Sequence, residues 1–500
     1  MKMKLTTAVV IALLFVSGCA GLGKREARDV PAGEPEAIAF LADLDRLVDQ
    51  HGARDASRFP MPGFPYLRID RFLEAMQSRL DTPDMQGHWV EQMRQADLKS
   101  RRKEIDNLPI EALAALSKWV EDAPSRDAVY ARSVQASNWL LEADLLQDGY
   151  YDRVKKAVDV PDEYSTAMRV FLLYPLAALP VSMATSSAYA KYREWHSTPP
   201  EDLPVTGVWT RFAPRQGYRS FNRDARDRLF MQASRDAFGL PEWTAEEVAH
   251  LAEMFAPVIT QDVAEDYDRF GAVGWHQERV TIDHDHPLVY YYLSHAFIEG
   301  EPVVQMNYAL WYSERAGENA PSIERGPLDG LTFRITFDST GAWVMADVMN
   351  NCGCYHFFIP DKARVAEVIV KEHEIEPLVP AWLPEGAPPQ RIDLRVNSGW
   401  HQVQHVGVES QDNTRAVSYS LVPYAALESL PSGNGARASA FNAQGIMKDS
   451  WRIEPYIFFS MGIPKVGYMR QRGHHAIKMV GREHFSNPYL FDRNFIFRQD

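Results

Sequence analysis

Cysteine and positive charge are both scarce in this sequence. Only 3 of its 500 residues are Cys, too few for a scaffold held together by disulfides. Lys and Arg total 53 against 67 Asp and Glu, so the net charge is −14. Nucleic acid is therefore a poor partner, because phosphate binding needs a surplus of Lys and Arg on the binding face. The same balance disfavours general adhesion to anionic lipid.

Long apolar runs and familiar catalytic motifs are also missing. The most apolar internal stretch, residues 170–184, is interrupted by Pro175 and Pro180. It falls short of the ~20 residues that a membrane-spanning helix needs, so a buried helix pair or an interfacial patch fits it better. No Gly-x-Ser-x-Gly elbow, Walker loop, His-Glu-x-x-His motif or Gly-x-Gly-x-x-Gly fingerprint occurs.

What remains is an ordinary globular composition. Hydrophobic residues make up 46% and charged residues 24%, with 29 Gly and 32 Pro. These values are close to average usage, so disorder, collagen and coiled coil are poor interpretations. At ~100–200 residues per domain, the length suggests two to four domains.

The first twenty residues have the pattern of a secretory signal. Lys2 and Lys4 precede the apolar run 5–16, and small residues follow. A basic start, an apolar segment of ~7–15 residues and small residues before a cleavage point make such a signal, which is too short to span a membrane stably. The segment ends in Val16-Ser17-Gly18-Cys19-Ala20.

This ending resembles the lipobox of bacterial lipoproteins. The resemblance implies that residues 1–18 are a removed signal peptide and that the thiol of Cys19 carries diacylglycerol, whose acyl chains, such as palmitate, anchor the protein in a membrane. Ala20, rather than Asp, resembles the pattern of lipoproteins sorted to the outer membrane, facing the periplasm or the cell surface. The alternative is an ordinary secretory signal that happens to end at a cysteine.

The rest of the chain divides into a helical part and a β-rich part, so we predict an α+β fold. Residues 19–35 are polar and contain Pro and Gly, as expected of a tether. Apolar residues then recur with a helical period, which predicts a mostly helical domain over residues 36–195. Residues 205–270 are predicted to be a mixed, mainly helical connecting segment, in which a capping box begins at Thr244. Residues 271–500 form the predicted β-rich domain.

Antiparallel hairpins are the expected units of this β-rich domain. Two segments of alternating or β-favouring residues separated by a short turn predict a hairpin. Such pairs, and further segments of strand character, occur at residues 288–297 with 303–312, 331–337 with 343–349, 391–408 and 415–423.

Histidine and the two remaining cysteines concentrate in the β-rich domain. Twelve of the fifteen histidines lie at or beyond residue 250. In a strand, side chains at positions i, i+2 and i+4 point to one face, so residues with this spacing can converge. The groups with informative spacing are Cys352, Cys354 and His356, then His284 with His286, and His401 with His405.

A metal site assembled from these clusters is the leading functional hypothesis. Thiolate and imidazole are the ligands that Zn²⁺ and Cu prefer, and carboxylates such as Asp283 and Asp285 can orient a ligating imidazole. The protein is then a metal-binding envelope protein, or a metal-dependent hydrolase in which the ion lowers the pKa of a bound water. The predicted ligands are Cys352, Cys354 and His356, with one or more of His284, His286 and His295.

Two neighbouring thiols also permit other functions. In an oxidising envelope exposed thiols rarely stay free. A bond between Cys352 and Cys354 closes a small, strained and reducible ring that Gly353 makes possible. The pair is then either a thiol–disulfide redox centre or an inert disulfide.

A cysteine nucleophile and a purely binding role are the remaining alternatives. Cys352-Gly353-Cys354-Tyr355 superficially looks like the Cys-Gly-Ser-Cys-Trp signature of papain-like proteases. One residue is missing between the cysteines, however, and Asn397 precedes His401, whereas the family's asparagine follows its histidine. A non-catalytic lipoprotein would bind an envelope component or a protein partner, with its His and Cys residues merely structural.

Overall fold

A computed structural model describes residues 33–498 except for 121–123, 172–173, 216–220, 372–374, 385–390, 410–415 and 434. Helices dominate the N-terminal part and strands the C-terminal part, so the predicted α+β fold is confirmed. The α-helices are α1 (Glu34–Gln50), α2 (Arg71–Met76), α3 (Pro83–Asp106), α4 (Arg126–Leu145), α5 (Tyr150–Ala157), α6 (Thr166–Phe171), α7 (Tyr174–Ser197), α8 (Arg223–Met231), α9 (Ala245–Phe255) and α10 (Glu454–Ile457).

Strands occur in both parts but are concentrated after residue 250. The short hairpin β1/β2 inside the helical part was not predicted. The strands are β1 (Phe59–Met61), β2 (Phe64–Ile69), β3 (Val208–Pro214), β4 (Val258–Val263), β5 (Ala272–His276), β6 (Arg279–Asp283), β7 (Leu288–Ile298), β8 (Glu301–Arg315), β9 (Gly326–Phe337), β10 (Trp343–Asn350), β11 (Phe357–Pro360), β12 (Val365–Val368), β13 (Ile392–Val396), β14 (Val403–Val408), β15 (Val417–Pro423), β16 (Leu430–Gly433), β17 (Ala436–Ala438) and β18 (Phe495–Phe497).

Local sequence explains where several helices begin. A side-chain oxygen of the residue before the helix accepts a hydrogen bond from the backbone N–H three residues later, which satisfies one of the free donors of the first turn. Thr244 and Glu247 bond each other's backbone at the start of α9, so the predicted capping box is confirmed. The capped helices α2, α3, α4, α8 and α9 use Asp70, Thr82, Ser125, Asn222 and Thr244.

Ten strands form one mixed sheet with the order β11-β10-β9-β8-β7-β15-β3-β4-β13-β14. Both predicted hairpins are confirmed, since Tyr290 of β7 pairs with Ala309 of β8 and Phe333 of β9 pairs with Val348 of β10. The predicted strands near 391–408 and 415–423 correspond to β13, β14 and β15. β15 pairs in parallel with both β7 and β3, and β13 pairs in parallel with β4, so distant segments complete the sheet.

The central strands are covered on both faces. On one face, α9 packs against the sheet, and the hydroxyl of Tyr308 donates to the carbonyl oxygen of Ala252 at 2.9 Å. On the other, the C-terminal segment covers polar strand residues: the guanidinium of Arg334 lies 3.6 Å from the ring centre of Phe485 and bonds Asp347 at 2.8 Å. Polar residues of β9 and β10 are therefore buried with partners instead of facing water.

Helices α6 and α7 carry apolar side chains that are exposed. No residue between Arg169 and Lys191 is charged. The interpretation of this stretch as a buried helix pair is wrong, because Val170, Phe171, Leu176, Leu179 and Met183 are 67 to 73% exposed. Within the described ranges, no helix is both long enough and apolar enough to cross a bilayer.

This exposed surface continues onto the C-terminal part. The helices α6, α7 and α10 all contact the short 3₁₀ turn Phe459–Met461. Around that turn, Tyr456, Ile457 and Phe459 are 44 to 71% exposed. We call the combined surface the apolar face, and its members are Val170, Phe171, Leu176, Leu179, Met183, Tyr456, Ile457 and Phe459.

Candidate functional site

The two free cysteines of the described chain lie in a tight turn between β10 and β11. The backbone N–H of Gly353 donates to the carbonyl oxygen of Asn350 at 2.7 Å, and the N–H of Asn350 donates to the carbonyl oxygen of Cys354 at 3.1 Å. Because this segment is a turn and not a strand, the alternation predicted for Cys352, Cys354 and His356 does not operate. Turn geometry, instead of strand geometry, brings the two thiols together.

Neighbouring segments fix this turn from both sides. Gly353 has φ +94°, and a Cβ atom at this position would lie 2.4 Å from the carbonyl oxygen of Ala476, so only glycine fits. On the other side, the amide of Asn351 donates to the carbonyl oxygen of Leu310 at 3.0 Å and accepts from the hydroxyl of Thr332 at 2.7 Å. The positions of the cysteines are thus set by β8, β9 and the C-terminal segment together.

Cys352 and Cys354 form a hydrogen-bonded pair. The backbone N–H of Cys354 donates to Sγ of Cys352 at 3.4 Å. The Cys354 thiol also donates to that sulfur, and this bond, together with the positive charge of Arg315, lowers the pKa of Cys352 from 9.0 to about 7 although burial opposes the shift. The same bond and burial raise the pKa of Cys354. Near neutral pH, Cys352 is the thiolate of the pair and Cys354 keeps its proton.

Arg315 is held beside the thiols by buried carboxylates. Its guanidinium donates to both oxygens of Asp329 at 2.9 Å and to Glu324 at 2.7 Å. Glu324 also accepts from the hydroxyl of Tyr355 and, at 2.8 Å, from Nε1 of Trp400. Arg315 is 2% exposed and Asp329 is fully buried. A buried network in which these charges have partners keeps the guanidinium in one position.

His401 contacts the same network through Asp329, on the opposite side from the cysteines in the order of contacts. Its Nδ1 is 2.8 Å from Oδ2 of Asp329 and its Nε2 is 3.3 Å from Oδ1 of Asp268. Its ring stacks on Tyr312 with the ring centres 3.9 Å apart. Burial opposes a positive charge on His401, but the two aspartates raise its pKa. His401 therefore helps to position Asp329 and, through it, Arg315.

Both cysteines line a cavity of about 210 Å³. Much of its wall is apolar, with Ala184 and Ala188 of α7 among the lining residues. The carboxyl group of Glu454 also lines it, and burial together with the nearby Cys352 and Glu324 raises the pKa of Glu454 to about 8. Near pH 7, Cys352 is therefore about half ionised, while the carboxyl group of Glu454 is mostly protonated.

The cavity adjoins the apolar face. Helix α7 lines the cavity with one side and carries Leu179 and Met183 of the apolar face on its exposed side. Phe458, which lies between the exposed residues Ile457 and Phe459, is also a lining residue. Helix α7 and the segment around Phe458 thus contribute to both the cavity wall and the apolar face.

His356 lines the same cavity, but its Nε2 is engaged in the sheet. This nitrogen lies 2.8 Å from Oδ2 of Asp347, which also accepts from Arg334 at 2.5 Å. The ring packs edge-on against Phe358 with ring centres 4.4 Å apart. Burial lowers the pKa of His356, although Asp347 opposes this shift. The structure thus pairs His356 with Asp347.

The other predicted metal ligands have partners of their own. His284 and His286 follow β6, where His284 Nδ1 lies 2.6 Å from the carbonyl oxygen of Arg269 and His286 Nδ1 lies 2.7 Å from Oδ2 of Asp283. His295 of β7 lies against Phe72, with ring centres 5.1 Å apart.

Among the predicted ligands, the structure brings the sulfurs of Cys352 and Cys354 together. In the described part of the chain, no group of three or more His, Cys, Asp or Glu residues is arranged to hold a metal ion. Binding of Zn or Cu stays a prediction. His401 has φ +54° and precedes β14, so it does not share a strand face with His405.

Sequence reasoning missed Arg315, Glu324 and Glu454. They lie at the end of β8, in a 3₁₀ turn and at the start of α10, so no local spacing connects them to the cysteines. One signal was present: β8 is strongly apolar and buried, yet it ends in an arginine. A buried cation at such a position needs carboxylate partners, which the structure supplies.

The predicted lipidation site, Cys19, lies outside the described residues. Comparison of the chain with protein-family models, with curated proteins and with solved structures finds no match. The chemistry of the thiol site is therefore the basis for a functional proposal.

Proposed function

We propose that this protein is a bacterial cell-envelope lipoprotein that performs thiol–disulfide exchange through Cys352 and Cys354. The observation that carries the proposal is the hydrogen-bonded thiol pair in the wall of a cavity. The positive charge of the buried Arg315 helps to lower the pKa of Cys352 in this pair. A thiolate is the nucleophile in disulfide exchange, and it works best when its pKa is near the ambient pH. Cys354 has the position of the resolving thiol.

The exchange takes two steps. First, the thiolate of Cys352 attacks one sulfur of a substrate disulfide, forms a mixed disulfide and releases the other sulfur as a thiolate, which takes up a proton. Second, Cys354 gives up its proton and its thiolate attacks the sulfur of Cys352, which forms the Cys352–Cys354 disulfide and releases the second substrate sulfur as a thiolate that takes up a proton from water. Two electrons pass from the protein to the substrate. The reverse sequence oxidises a dithiol substrate.

Glu454 is placed to take part in these proton transfers. It lines the same cavity as both sulfurs, and because burial raises its pKa to about 8 it is protonated at neutral pH. A neutral acid can give its proton to the leaving thiolate, and the resulting carboxylate can take the proton of Cys354 in the second step. The apolar walls favour a disulfide that is carried by an apolar molecule or segment.

Titration of residues 20–500 against defined ratios of reduced to oxidised glutathione tests the exchange. We expect Cys352 and Cys354 to be lost and regained together as one reversible transition, read by thiol labelling and intact mass. Cys354→Ser should stop at a mixed disulfide between Cys352 and glutathione, because the resolving thiol is missing. Cys352→Ser should form less mixed disulfide, because burial, which persists in this variant, still raises the pKa of the Cys354 thiol. Equal reactivity of the two single variants would contradict the assignment of roles.

Metal binding is the second candidate for the same pair. Thiolates are preferred ligands of Zn²⁺ and Cu, and the two sulfurs lie together. Elemental analysis of the same preparation, purified without chelator and again after reconstitution with Zn²⁺ or Cu, tests this role. Stoichiometric metal that disappears in Cys352→Ser supports it, whereas metal retained in that variant assigns the ion to other residues.

Two independent features support a location at the membrane. The N-terminus resembles a lipoprotein signal with Cys19 as the acylated residue. The apolar face leaves Leu176 and Leu179 72% and 68% exposed, and exposed apolar patches of this kind mark interaction surfaces. Tyr456, one of the aromatic residues of this face, is of a type enriched at bilayer interfaces. We propose that the apolar face rests on the lipid surface to which Cys19 anchors the chain.

Flotation with vesicles of phosphatidylethanolamine and phosphatidylglycerol tests whether the apolar face binds lipid. Residues 20–500 without lipid should float with the vesicles. The double variant Leu176→Asp, Leu179→Asp should reduce binding at least about tenfold, since burying one leucine side chain contributes ~1.5–3 kcal/mol. Leu146→Asp is the matched control, because Leu146 is 82% exposed but lies at the end of α4. An equal loss in the control would count against a role for the apolar face.

The anchor is tested separately. Full-length protein expressed in bacteria should carry the added mass of acyl chains on Cys19 and sediment with membranes. Cys19→Ser should lack that mass, because the thiol that receives the lipid is gone. An unmodified Cys19 together with a mature N-terminus at another residue would favour an ordinary secretory signal.

A further inference from the structure

A second cavity, of about 660 Å³, lies between the helical part and the sheet. Lys99 and Ser100 of α3, Phe72 of α2 and His295 of β7 line it. A smaller cavity of about 120 Å³ adjoins it and shares Phe72, His295 and Arg472. Neither cavity shares a lining residue with the thiol site. The larger one has the size of a small-molecule site, for which ~300–1,000 Å³ is typical.

Basic side chains outnumber acidic ones in the lining of this cavity, with Arg58, Lys99, Arg102, Lys103 and Arg472 against Asp70, Asp236 and Glu242. Glu428 alone accepts from both Lys103 at 2.5 Å and Arg472 at 2.8 Å. Arg58 pairs with Asp70 at 3.0 Å. These cations have carboxylate partners that belong to the fold. Such an accumulation is unexpected in a chain with a net charge of −14.

Lys99 differs from these cations, because no carboxylate of the described residues forms an ion pair with it. Although Lys99 is an exposed residue, desolvation of its ammonium group, followed by the positive charges of Arg58, Lys103 and Arg472, lowers the pKa of Lys99. The charges that act on this ammonium group are therefore of its own sign. Because the other three cations already have carboxylate partners, the stabilisation of an added anion would come mainly from Lys99.

Uncharged polar groups around the two cavities also lack partners. The hydroxyl oxygen of Ser100, which is 1% exposed, and the amide oxygen of the fully buried Asn307 have no hydrogen-bond partner among the described residues. Ser100 lines the larger cavity and Asn307 the smaller one. Burial lowers the pKa of His295, so its imidazole is neutral and can donate one hydrogen bond and accept another. Buried polar groups in native proteins normally have partners, and a bound molecule would supply them.

We propose that this cavity binds a small organic anion, with a carboxylate or phosphate group paired to Lys99 and an apolar or aromatic body packed against Phe72 and Trp243. The charge arrangement selects the anionic group. The aromatic lining, to which Phe238 and Tyr130 also contribute, provides flat apolar surface for the rest of the molecule. This site is independent of the thiol pair, so its ligand need not be a thiol or a disulfide.

Two fluorescent probes that differ in charge test the proposal on residues 20–500. Anilinonaphthalenesulfonate is anionic, and phenylnaphthylamine has a similar ring system without the charge. Lys99→Met should weaken binding of the anionic probe about tenfold and leave binding of the neutral probe unchanged. Lys99→Arg should restore the anionic probe, because the charge is kept. Lys156→Met, on α5 and outside the cavity, is the matched control and should change neither.

The outcomes separate this site from other surfaces. Equal affinity of the anionic probe for wild type and Lys99→Met would overturn the proposal. An equal loss for both probes would also overturn it, since the charge would then not be the cause. The double variant Leu176→Asp, Leu179→Asp should keep the Lys99-dependent binding, because the apolar face is not part of the cavity. Competition by benzoate against phenyl phosphate distinguishes a carboxylate ligand from a phosphate ligand.

Discussion

The hydrogen bond between the two thiols can be removed without touching the nucleophile. Cys354→Ala deletes the side-chain donor that acts on Cys352, while Arg315 and the turn backbone stay. Cys354→Ser keeps a hydroxyl donor at almost the same place and serves as the matched variant. The pair of substitutions therefore isolates the effect of the hydrogen bond on the Cys352 thiolate.

The structure sets the expected size of this effect. The pKa of Cys352 falls from 9.0 to about 7, and the hydrogen bond from Cys354 is its largest cause. A hydrogen bond to a charged group contributes ~1.5–3 kcal/mol, which corresponds to roughly one to two pKa units at ~1.4 kcal/mol each. In Cys354→Ala we therefore expect the pKa of Cys352 to rise by at least about one unit. At pH 7 its thiolate fraction should drop from about one half to about one tenth or less.

Alkylation by iodoacetamide as a function of pH measures this directly. The rate of modification of Cys352, followed by peptide mass, tracks its thiolate fraction. At pH 7 the rate in Cys354→Ala should be about fivefold lower than in wild type, and the two rates should meet at high pH, where both thiols are ionised. Cys354→Ser should titrate close to wild type. If Cys354→Ala titrates at the same pH as wild type, the thiol pair does not activate Cys352.

Three further substitutions test other parts of the site. Glu454→Gln should remove a pH dependence of stability. Because the folded-state pKa of Glu454 is raised to about 8, the unfolding free energy of wild type should fall by roughly 3 kcal/mol between pH 4.5 and 7. Urea denaturation of the variant should show no such fall. Arg315→Met should destabilise the fold by ~3–5 kcal/mol, because it leaves Asp329 and Glu324 buried without their cation, and should raise the pKa of Cys352; an unchanged melting temperature would refute this. Gly353→Ala should lower the free energy of unfolding by ~1–3 kcal/mol. Gly274→Ala should lower it less, because no atom lies within 4 Å of its added Cβ. Equal losses would contradict the conclusion that the turn requires glycine at position 353.

Much of the secondary structure was predictable because its signals are local. The alternation over residues 331–337 identified β9, and the Ser-Thr-Gly turn after it placed β10 as its partner. The Thr244 capping box marked the start of α9. These patterns depend on side-chain periods of two and 3.6 residues and on hydrogen bonds within one turn, so neighbouring residues are enough to specify them.

The environment of these elements was less predictable. The stretch 170–184 is apolar in sequence, and apolarity alone does not say whether a surface is covered by protein. In the structure the stretch 170–184 is exposed and lies near α10. Helix α10 comes almost three hundred residues later in the chain, so local sequence could not indicate that the two are neighbours. The hairpin β1/β2 escaped prediction because its strands are short and lie within a region of helical period.

The candidate site shows the same division. The spacing of Cys352 and Cys354 singled out the right pair, but the expectation rested on a strand, and the segment is a turn around Gly353. His356 has the spacing of a ligand, yet its Nε2 is held by Asp347 across the β10/β11 pairing. Spacing reports which residues are able to meet and does not report which competing partner each side chain has.

By itself, the sequence determined the α+β class, the hairpins β7/β8 and β9/β10, the resemblance of the N-terminus to a lipoprotein signal, and the two cysteines as the candidate site. Only the tertiary structure decided the state of that pair. Arg315 and Glu454 act on the thiols from β8 and α10, and Lys99 of α3 meets Arg472 of the C-terminal segment at a second cavity. The physical reason is that pKa values and cavities depend on burial and on charges a few ångströms away. Those neighbours are brought together by packing between segments that are far apart in the chain.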